Sequence, residues 1–151
     1  MTKNRRLYFL PLLAICLWLP VVLSCSSDEE PYPRMPFVDV FREIYLNDPI
    51  LQSDLDNPTK RFVYLNDGVN GIILHKTPDE RYIALERLSP VSVADDCTVE
   101  VDNSGFFISD PCSNATWDME GNPTGGDNDW PLFQYQTFFT DQNGDYLLIT
   151  N

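Results

Sequence analysis

Histidine and basic residues are scarce in this chain. It holds one histidine, His75, and 10 Lys and Arg against 23 Asp and Glu, for a formal net charge of −13. Nucleic-acid affinity depends on Lys and Arg at phosphates, so we expect no nucleic-acid partner. A Ser-His-Asp hydrolase would have to use His75, and the sequence Gly-x-Ser-x-Gly is absent. Glycoside hydrolysis needs only two carboxylates, yet no acid stands out, and we therefore predict no enzyme and no catalytic residues.

Long apolar stretches of helical period are also lacking beyond the N-terminus. The chain is instead divided by Gly, Pro, Asn and Asp into short apolar or alternating segments: 37–45, 61–65, 71–75, 82–85, 98–101, 106–108, 133–139 and 146–149. The motif Asn47-Asp48-Pro49 is a break, and a Gly-, Asp- and Asn-rich loop is predicted over 121–129. Short strands at regular spacing predict an all-β domain, a small antiparallel sandwich or barrel.

The N-terminus resembles a secretory signal peptide. Three basic residues within the first six precede an uncharged apolar run over 7–23. An uncleaved membrane anchor is the alternative, because the run is just long enough to span a bilayer. The run ends in Val22-Leu23-Ser24-Cys25, which resembles the bacterial lipobox. That resemblance implies lipid on the Cys25 thiol and cleavage before it, so residues 1–24 are predicted to be a lipoprotein signal peptide.

Residues 25–36 form an acidic, proline-rich tether before the predicted domain at 37–151. The segment 26–30, Ser-Ser-Asp-Glu-Glu, resembles the acidic export tag of some surface lipoproteins, although a solvated charge run has the same composition. We expect a lipid anchor in the bacterial outer membrane, facing either the periplasm or the cell surface. Cleavage after residue 24 would remove three of the 10 basic residues. The mature chain would then hold 7 basic and 23 acidic residues, a net charge of −16. The protein or glycan partner is not identified.

Four cysteines are present, and two are assigned by the N-terminal motif. Cys16 lies in the signal peptide and Cys25 takes the lipid, which leaves Cys97 and Cys112. Disulfides persist in extracytoplasmic compartments, so we predict a Cys97–Cys112 bond, with two buried free thiols as the weaker alternative. A loop of about 15 residues closed in this way contributes roughly 3 kcal/mol in the chain-entropy model.

Two segments resemble a Rieske-type [2Fe–2S] domain. The first is 71–91, which ends in Glu-Arg-Leu-Ser-Pro-Val; the second is 99–132, with Asp-Pro-Cys-Ser-Asn-Ala-Thr-Trp-Asp at 110–118, Gly125-Gly126 and Pro131. In that family a strand pair precedes a Cys-x-His loop. A hairpin then leads to a Cys-Pro-Cys-His-Gly-Ser loop, and a glycine-rich loop with a proline opens the last strands. The resemblance covers about residues 37–151 and implies a Rieske-like β fold.

All four cluster ligands of that family are replaced here. The first loop's Cys and His correspond to Ser89 and Val91, and the second loop's ligands correspond to Asp110 and Ser113. Two thiolates and two imidazoles hold such a cluster, and these residues do not supply them. The family's non-ligand cysteine pair corresponds to Cys112 and, allowing for a short insertion, Cys97. The resemblance therefore implies a scaffold that keeps its disulfide and has no cofactor. An electron-transfer protein with a [2Fe–2S] cluster is the alternative.

Three further features of the sequence have an interpretation of their own. Asp141-x-Asn143-x-Asp145 and 127–129 carry oxygen ligands that could suit calcium, but hairpin turns use the same residues, and we expect turns and no metal. Asp110 beside Pro111 is expected to cap a turn. Trp130 beside the acidic loop could stack on a sugar, which makes a surface glycan-binding lipoprotein the second alternative. The leading interpretation is a lipid-anchored lipoprotein whose cluster-free Rieske-like domain serves as a binding or structural module.

Overall fold

The computed structural model describes residues 32–126 and 128–151. Its strands are β1 Phe41–Tyr45, β2 Phe62–Leu65, β3 Ile72–Lys76, β4 Tyr82–Glu86, β5 Glu100–Val101, β6 Phe107–Ser109, β7 Thr116–Asp118, β8 Pro123–Gly125, β9 Gln134–Phe139 and β10 Tyr146–Thr150. One α-helix, α1 Pro49–Leu55, and a 3-10 helix, Val93–Asp95, complete this part of the chain. Strands hold 36% of the described residues and helices 8%, which confirms the all-β prediction.

The strands form two antiparallel sheets. The larger sheet has six strands in the order β1-β10-β9-β4-β3-β2 and curls into a half-barrel. The smaller sheet has four strands in the order β5-β6-β7-β8. The first strand pairs with the last, with Phe41 opposite Thr150. No helix within 32–126 or 128–151 has the length and apolarity to cross a membrane.

The central strands β3 and β4 are buried on both faces, because each face covers a different core. Ile72, Leu74 and Ala84 belong to a cluster that fills the half-barrel, together with residues of β1, α1 and β10. Ile73 and Leu85 point the other way into a second cluster, which includes Trp117 of the small sheet. Side chains alternate between faces along a strand, so two-sided burial explains the unbroken apolar sequence of β3.

Helix α1 differs from the sequence expectation, which had only a break at Asn47-Asp48-Pro49. The break does end β1, but it also starts a helix. The Asp48 side chain accepts hydrogen bonds from the backbone N–H groups of Ile50 and Leu51, and Pro49 occupies the first helical position. Leu51 and Leu55, one turn apart, pack on the half-barrel core. Two apolar positions are too few to establish a helical period in a sequence.

Several strand boundaries also differ from expectation. Residues 37–40 are irregular, and β1 begins only at Phe41. Strand β7 was not among the predicted segments, and β8 replaces part of the loop predicted over 121–129, where Pro123–Gly125 pairs with β7. A register shift interrupts that pairing between Thr116 and Trp117. The hairpin through Asn103-Ser104-Gly105 is present as β5 and β6.

A buried carboxylate closes the half-barrel core at the end of β4. Glu86 is only 1% exposed. Its two oxygens accept hydrogen bonds from the backbone N–H groups of Val69, Asn70 and Leu88 and from the Tyr135 hydroxyl, at 2.6–2.9 Å. Four donors replace the water that burial removes, and they tie the β2–β3 turn and β9 to β4.

Gly68 and Tyr135 complete this arrangement. Gly68 has a φ of +84°, and a Cβ there would lie 2.6 Å from Glu86 Oε2, so both the backbone angle and the close approach require glycine. Burial, with a smaller effect from the hydrogen bond to Glu86, raises the pKa of Tyr135 far above its usual range. The Tyr135 hydroxyl therefore keeps its proton and remains a donor to Glu86.

We predict that Tyr135→Phe lowers the free energy of unfolding by about 2 kcal/mol, because Glu86 then loses one donor and stays buried. Tyr146→Phe is the matched control, since Tyr146 is 40% exposed and its hydroxyl makes no hydrogen bond to any residue that the structure describes. Urea unfolding of the two variants measures the difference. Equal stability of the two variants would contradict the assigned role of the Tyr135 hydroxyl.

Candidate functional site

Two loops meet at the end of the large sheet where β4 finishes. The first loop follows β4 and returns to β5, and its ends are joined by a bridge between Leu88 and Thr98. The second loop connects β6 to β7 and is closed by a hydrogen bond from Asp110 N to Ala115 O at 3.1 Å. These loops contain the four positions that the Rieske resemblance equates with cluster ligands.

A disulfide joins the two loops. Cys97 of the first loop is bonded to Cys112 of the second, with the Cα atoms 6.3 Å apart. The predicted bond is therefore confirmed. Cys97 is buried and Cys112 is exposed, so the bond runs from the interior toward the surface. It adds a covalent link between two loops that lie on either side of the paired strands β5 and β6.

The Asp110 carboxylate makes a second connection beside the disulfide. Asp110 is 2% exposed. Its Oδ2 accepts hydrogen bonds from the hydroxyls of Ser89 at 2.7 Å, Ser92 at 2.7 Å and Ser113 at 2.9 Å. Two of these donors come from the first loop, so the carboxylate links both loops. Its Oδ1 accepts the backbone N–H of Cys112 at 2.8 Å, which caps the turn as expected from Asp110-Pro111.

The sulfur of Cys97 also lies 2.9 Å from Asp110 Oδ1. A disulfide sulfur carries no proton, so this is a sulfur–oxygen contact and not a hydrogen bond. The carboxylate and the disulfide are consequently parts of one compact cluster. We name the cluster of Ser89, Ser92, Asp110, Ser113 and the disulfide the loop junction.

The loop junction holds Asp110 in its ionised form. Burial raises the pKa of Asp110, but the hydrogen bonds from Ser89, Ser92, the Cys112 amide and Ser113 outweigh it, and the pKa lies below the usual value. Among the described residues no basic side chain forms an ion pair with Asp110. Neutral donors alone therefore solvate this buried anion.

Of the four positions that the resemblance matches to cluster ligands, three lie together in the structure and one does not. Ser89, Asp110 and Ser113 share the loop junction, whereas Val91 is 38% exposed and only its backbone N–H contacts the Ser89 hydroxyl. Ser92 was missed by the sequence reasoning. Its contact with Asp110, 18 positions further along the chain, leaves no local signal in the sequence.

The residues of the loop junction do not fit a [2Fe–2S] cluster. Cys97 Sγ, Cys112 Sγ and an Asp110 oxygen lie within 4.8 Å of one another, but both sulfurs are bonded to each other and offer no thiolate. The serine protons are directed at Asp110, and the Val91 side chain has no atom that could bind iron.

His75 lies on β3 and is 7% exposed. Its Nδ1–H donates to the Arg61 carbonyl at 3.0 Å, and burial lowers the pKa of the imidazole.

The remaining sequence candidates lie elsewhere. Asp141 accepts the backbone N–H groups of Asn143 and Tyr146, which makes 140–145 a capped hairpin turn. Trp130 is half-buried and packs edge-on against Tyr32, with ring centroids 5.8 Å apart. In the neighbouring loop, Asn128 is buried and its Oδ1 accepts the Trp130 N–H.

Comparison with family models, with curated proteins and with solved structures found no match for this chain. The Rieske resemblance therefore remains a prediction carried by the motifs themselves. Cys25, the lipobox and the acidic segment 26–30 lie outside the described residues, so the predicted lipidation also stays a prediction.

We predict that Asp110→Asn lowers the free energy of unfolding by about 2–3 kcal/mol at neutral pH, because an amide oxygen is a weaker acceptor for three hydroxyls and its NH₂ adds unpaired donors. The matched control is Asp95→Asn in the first loop, since Asp95 is exposed and its carboxylate makes no hydrogen bond within the described chain. Urea unfolding at several pH values is the measurement.

The pH dependence has a defined sign. A carboxyl whose pKa is lower in the folded protein contributes stability above its unfolded pKa, here 3.8, and loses it as the pH falls through the folded value. The difference between wild type and Asp110→Asn is therefore constant at neutral pH and shrinks in acid. A difference that grows on acidification would contradict an ionised Asp110.

Proposed function

We propose that this chain is a lipid-anchored lipoprotein of the bacterial envelope or cell surface. Its Rieske-like domain holds no cluster and serves as a binding or structural module. The observation that carries the proposal is the loop junction. At the place where the resemblance puts a cluster, a buried carboxylate and a disulfide join the two loops and leave no ligand set for iron.

The order of elements supports the Rieske-like part of the proposal. The pair β3–β4 precedes the first loop, and the hairpin β5–β6 leads into the second loop. The glycine-rich stretch at 125–126 and Pro131 then precede β9, as the resemblance implies. The disulfide joins the two positions that the family uses for its own non-ligand cysteines.

The composition of the loop junction supports a non-enzymatic role. Its serines donate to a carboxylate and have no imidazole or amine to remove their protons, so none is activated as a nucleophile. His75 is packed on β3 and bonded to a backbone carbonyl. Electron transfer through a [2Fe–2S] cluster is the alternative function, and it requires a ligand set that these residues do not offer.

The N-terminal sequence supports the anchor and the compartment. An oxidising location agrees with a disulfide between two loops. Several acyl chains on Cys25 would hold the domain at the outer membrane, since each buried methylene contributes about 0.8 kcal/mol. The acidic segment 26–30 favours display at the surface, with a periplasm-facing position as the other outcome. A mature net charge of −16, from 7 basic and 23 acidic residues, disfavours nucleic acid.

We predict that the purified protein binds no iron–sulfur cluster. After anaerobic reconstitution with ferrous iron and sulfide and removal of excess reagents, we expect no visible absorbance and no paramagnetic resonance signal on reduction. A Rieske ferredoxin treated in the same way is the positive control. Stoichiometric iron and acid-labile sulfide in the purified protein would overturn the cluster-free assignment and favour electron transfer.

We predict that Cys25→Ala abolishes lipidation. In a Gram-negative host fed radioactive palmitate, the wild-type protein should carry label and sediment with the membranes, and Cys25→Ala should carry none. Cys16→Ala is the matched control and should keep the label, because Cys16 lies within the predicted signal peptide. Label retained in Cys25→Ala, or lost in Cys16→Ala, would refute the assigned anchor.

A further inference from the structure

A second candidate site lies at the end of the large sheet opposite the loop junction. The loop junction follows the C-terminal end of β4, whereas this cavity lies at its start, beside Tyr82. The four residue steps from Tyr82 to Glu86 separate these ends by about 13 Å. The cavity has a volume of about 330 Å³ and lies between α1, the β3–β4 turn and the β9–β10 turn. Its volume is within the range of small-molecule sites.

A lysine that bridges two carboxylates lines the cavity. Lys76 Nζ donates to Asp56 Oδ1 at 2.6 Å and to Glu80 Oε2 at 2.8 Å. The Lys76 side chain is only 12% exposed. Burial lowers the pKa of Lys76, but the hydrogen bonds to Asp56 and Glu80 raise it more, so the group stays charged. An ammonium carries three N–H groups, and one remains for a ligand.

Other polar groups at the cavity have hydrogen-bonding capacity to spare. The side-chain amides of Gln52 and Asn143 line it and have no protein partner within the described part of the chain. Asp56 Oδ2 likewise accepts no hydrogen bond from the described residues, because Lys76 contacts the other oxygen. The cavity therefore presents donors and acceptors together.

An aromatic pair forms the apolar wall. The rings of Tyr82 and Phe139 meet edge to face, with centroids 6.0 Å apart and an interplanar angle of 85°. Phe139 is 51% exposed and lines the cavity. Buried Leu55 of α1 contributes to the same wall. The electron-rich face of an aromatic ring accepts aliphatic C–H groups, which the polar lining alone would not favour.

The charges of the cavity select among ligand classes. Asp56 and Glu80 oppose an anion, and so does the net charge of the protein. The Lys76 ammonium that bridges both carboxylates repels a metal ion or an amine. An uncharged ligand meets neither obstacle. Hydroxyl groups donate and accept at once, so a ligand rich in hydroxyls matches the mixed lining, and its C–H face matches the aromatic wall.

We propose that this cavity binds an uncharged sugar residue of a glycan. The inference goes beyond the proposed function, because it names a ligand class and a site remote from the loop junction. It requires neither the lipid anchor nor the absence of a cluster. It also differs from sugar stacking at Trp130, which is a separate location in the chain.

The test is a titration of the ¹⁵N-labelled protein, as purified, with neutral oligosaccharides followed by amide chemical shifts. A detergent without a sugar headgroup avoids competition. The panel consists of gluco-, manno-, xylo- and galacto-oligosaccharides, with oligogalacturonate and chitosan oligomers as charged comparators. We expect at least one neutral member to shift amides around Lys76, Tyr82 and Asn143 at millimolar concentration, and the charged comparators to bind more weakly.

Two variants locate the site. Gln52→Ala combined with Asn143→Ala should weaken binding about tenfold, because two hydrogen bonds are lost while the lysine bridge stays intact. The matched control is Asn114→Ala at the exposed second loop, which should bind like wild type. Amide spectra of the variants without ligand confirm that they are folded.

Three results would overturn the proposal: no shifts with any neutral oligosaccharide, tighter binding of a charged comparator, or shifts centred on Trp130. Failure of this proposal is distinguishable from failure of the proposed function. Iron and sulfide content and palmitate labelling report on the latter, and neither depends on sugar binding.

Discussion

The buried charge of Asp110 is the constraint on which the loop region depends. An ionised carboxylate removed from water needs donors from the protein, and here three serine hydroxyls and one backbone amide supply them. Because the donors come from two separate loops, one on each side of the β5–β6 hairpin, solvating the charge also sets the spacing of the loops. The disulfide acts on the same spacing by a covalent bond. A buried anion and a covalent link thus impose one geometry by independent means.

The two ends of β4 have different chemistry, and the two proposals follow this difference. At its C-terminal end every polar side chain of the junction is directed inward at Asp110, which leaves little with which to bind a ligand. At its start, Lys76 and its two carboxylates face an open cavity with amides and aromatic rings around them. A satisfied network suits a structural joint, whereas a network with spare donors and acceptors suits recognition.

The sequence predicted those features that depend on local pattern. Alternation and short apolar segments predicted the strands, and the N-terminal motif left Cys97 and Cys112 as a pair. Helix α1 was not predicted, because its stability comes from the Asp48 cap and from two leucines that pack on a core formed by distant parts of the chain. Strand β8 was not predicted, because its sequence, Pro-Thr-Gly, has little preference for a strand. The strand forms through its pairing with β7. Ser92 and the sugar cavity depend on contacts between segments far apart in the chain, which no local pattern encodes.

The contacts of Asn151 have a mechanical consequence. Its side-chain Oδ1 accepts the N–H of Val40 at 3.0 Å, and its Nδ2 donates to the carbonyl of Val38 at 2.7 Å. Tension applied through the segment before β1 reaches the hydrogen bond from the Tyr32 hydroxyl to the Pro131 carbonyl first, then these two hydrogen bonds, and then the β1–β10 ladder. Peeling of an edge strand would absorb the load before it reached the cross-linked loops. Under a pull from its N-terminal side, the domain would yield at its first strand while the disulfide-linked half stayed folded.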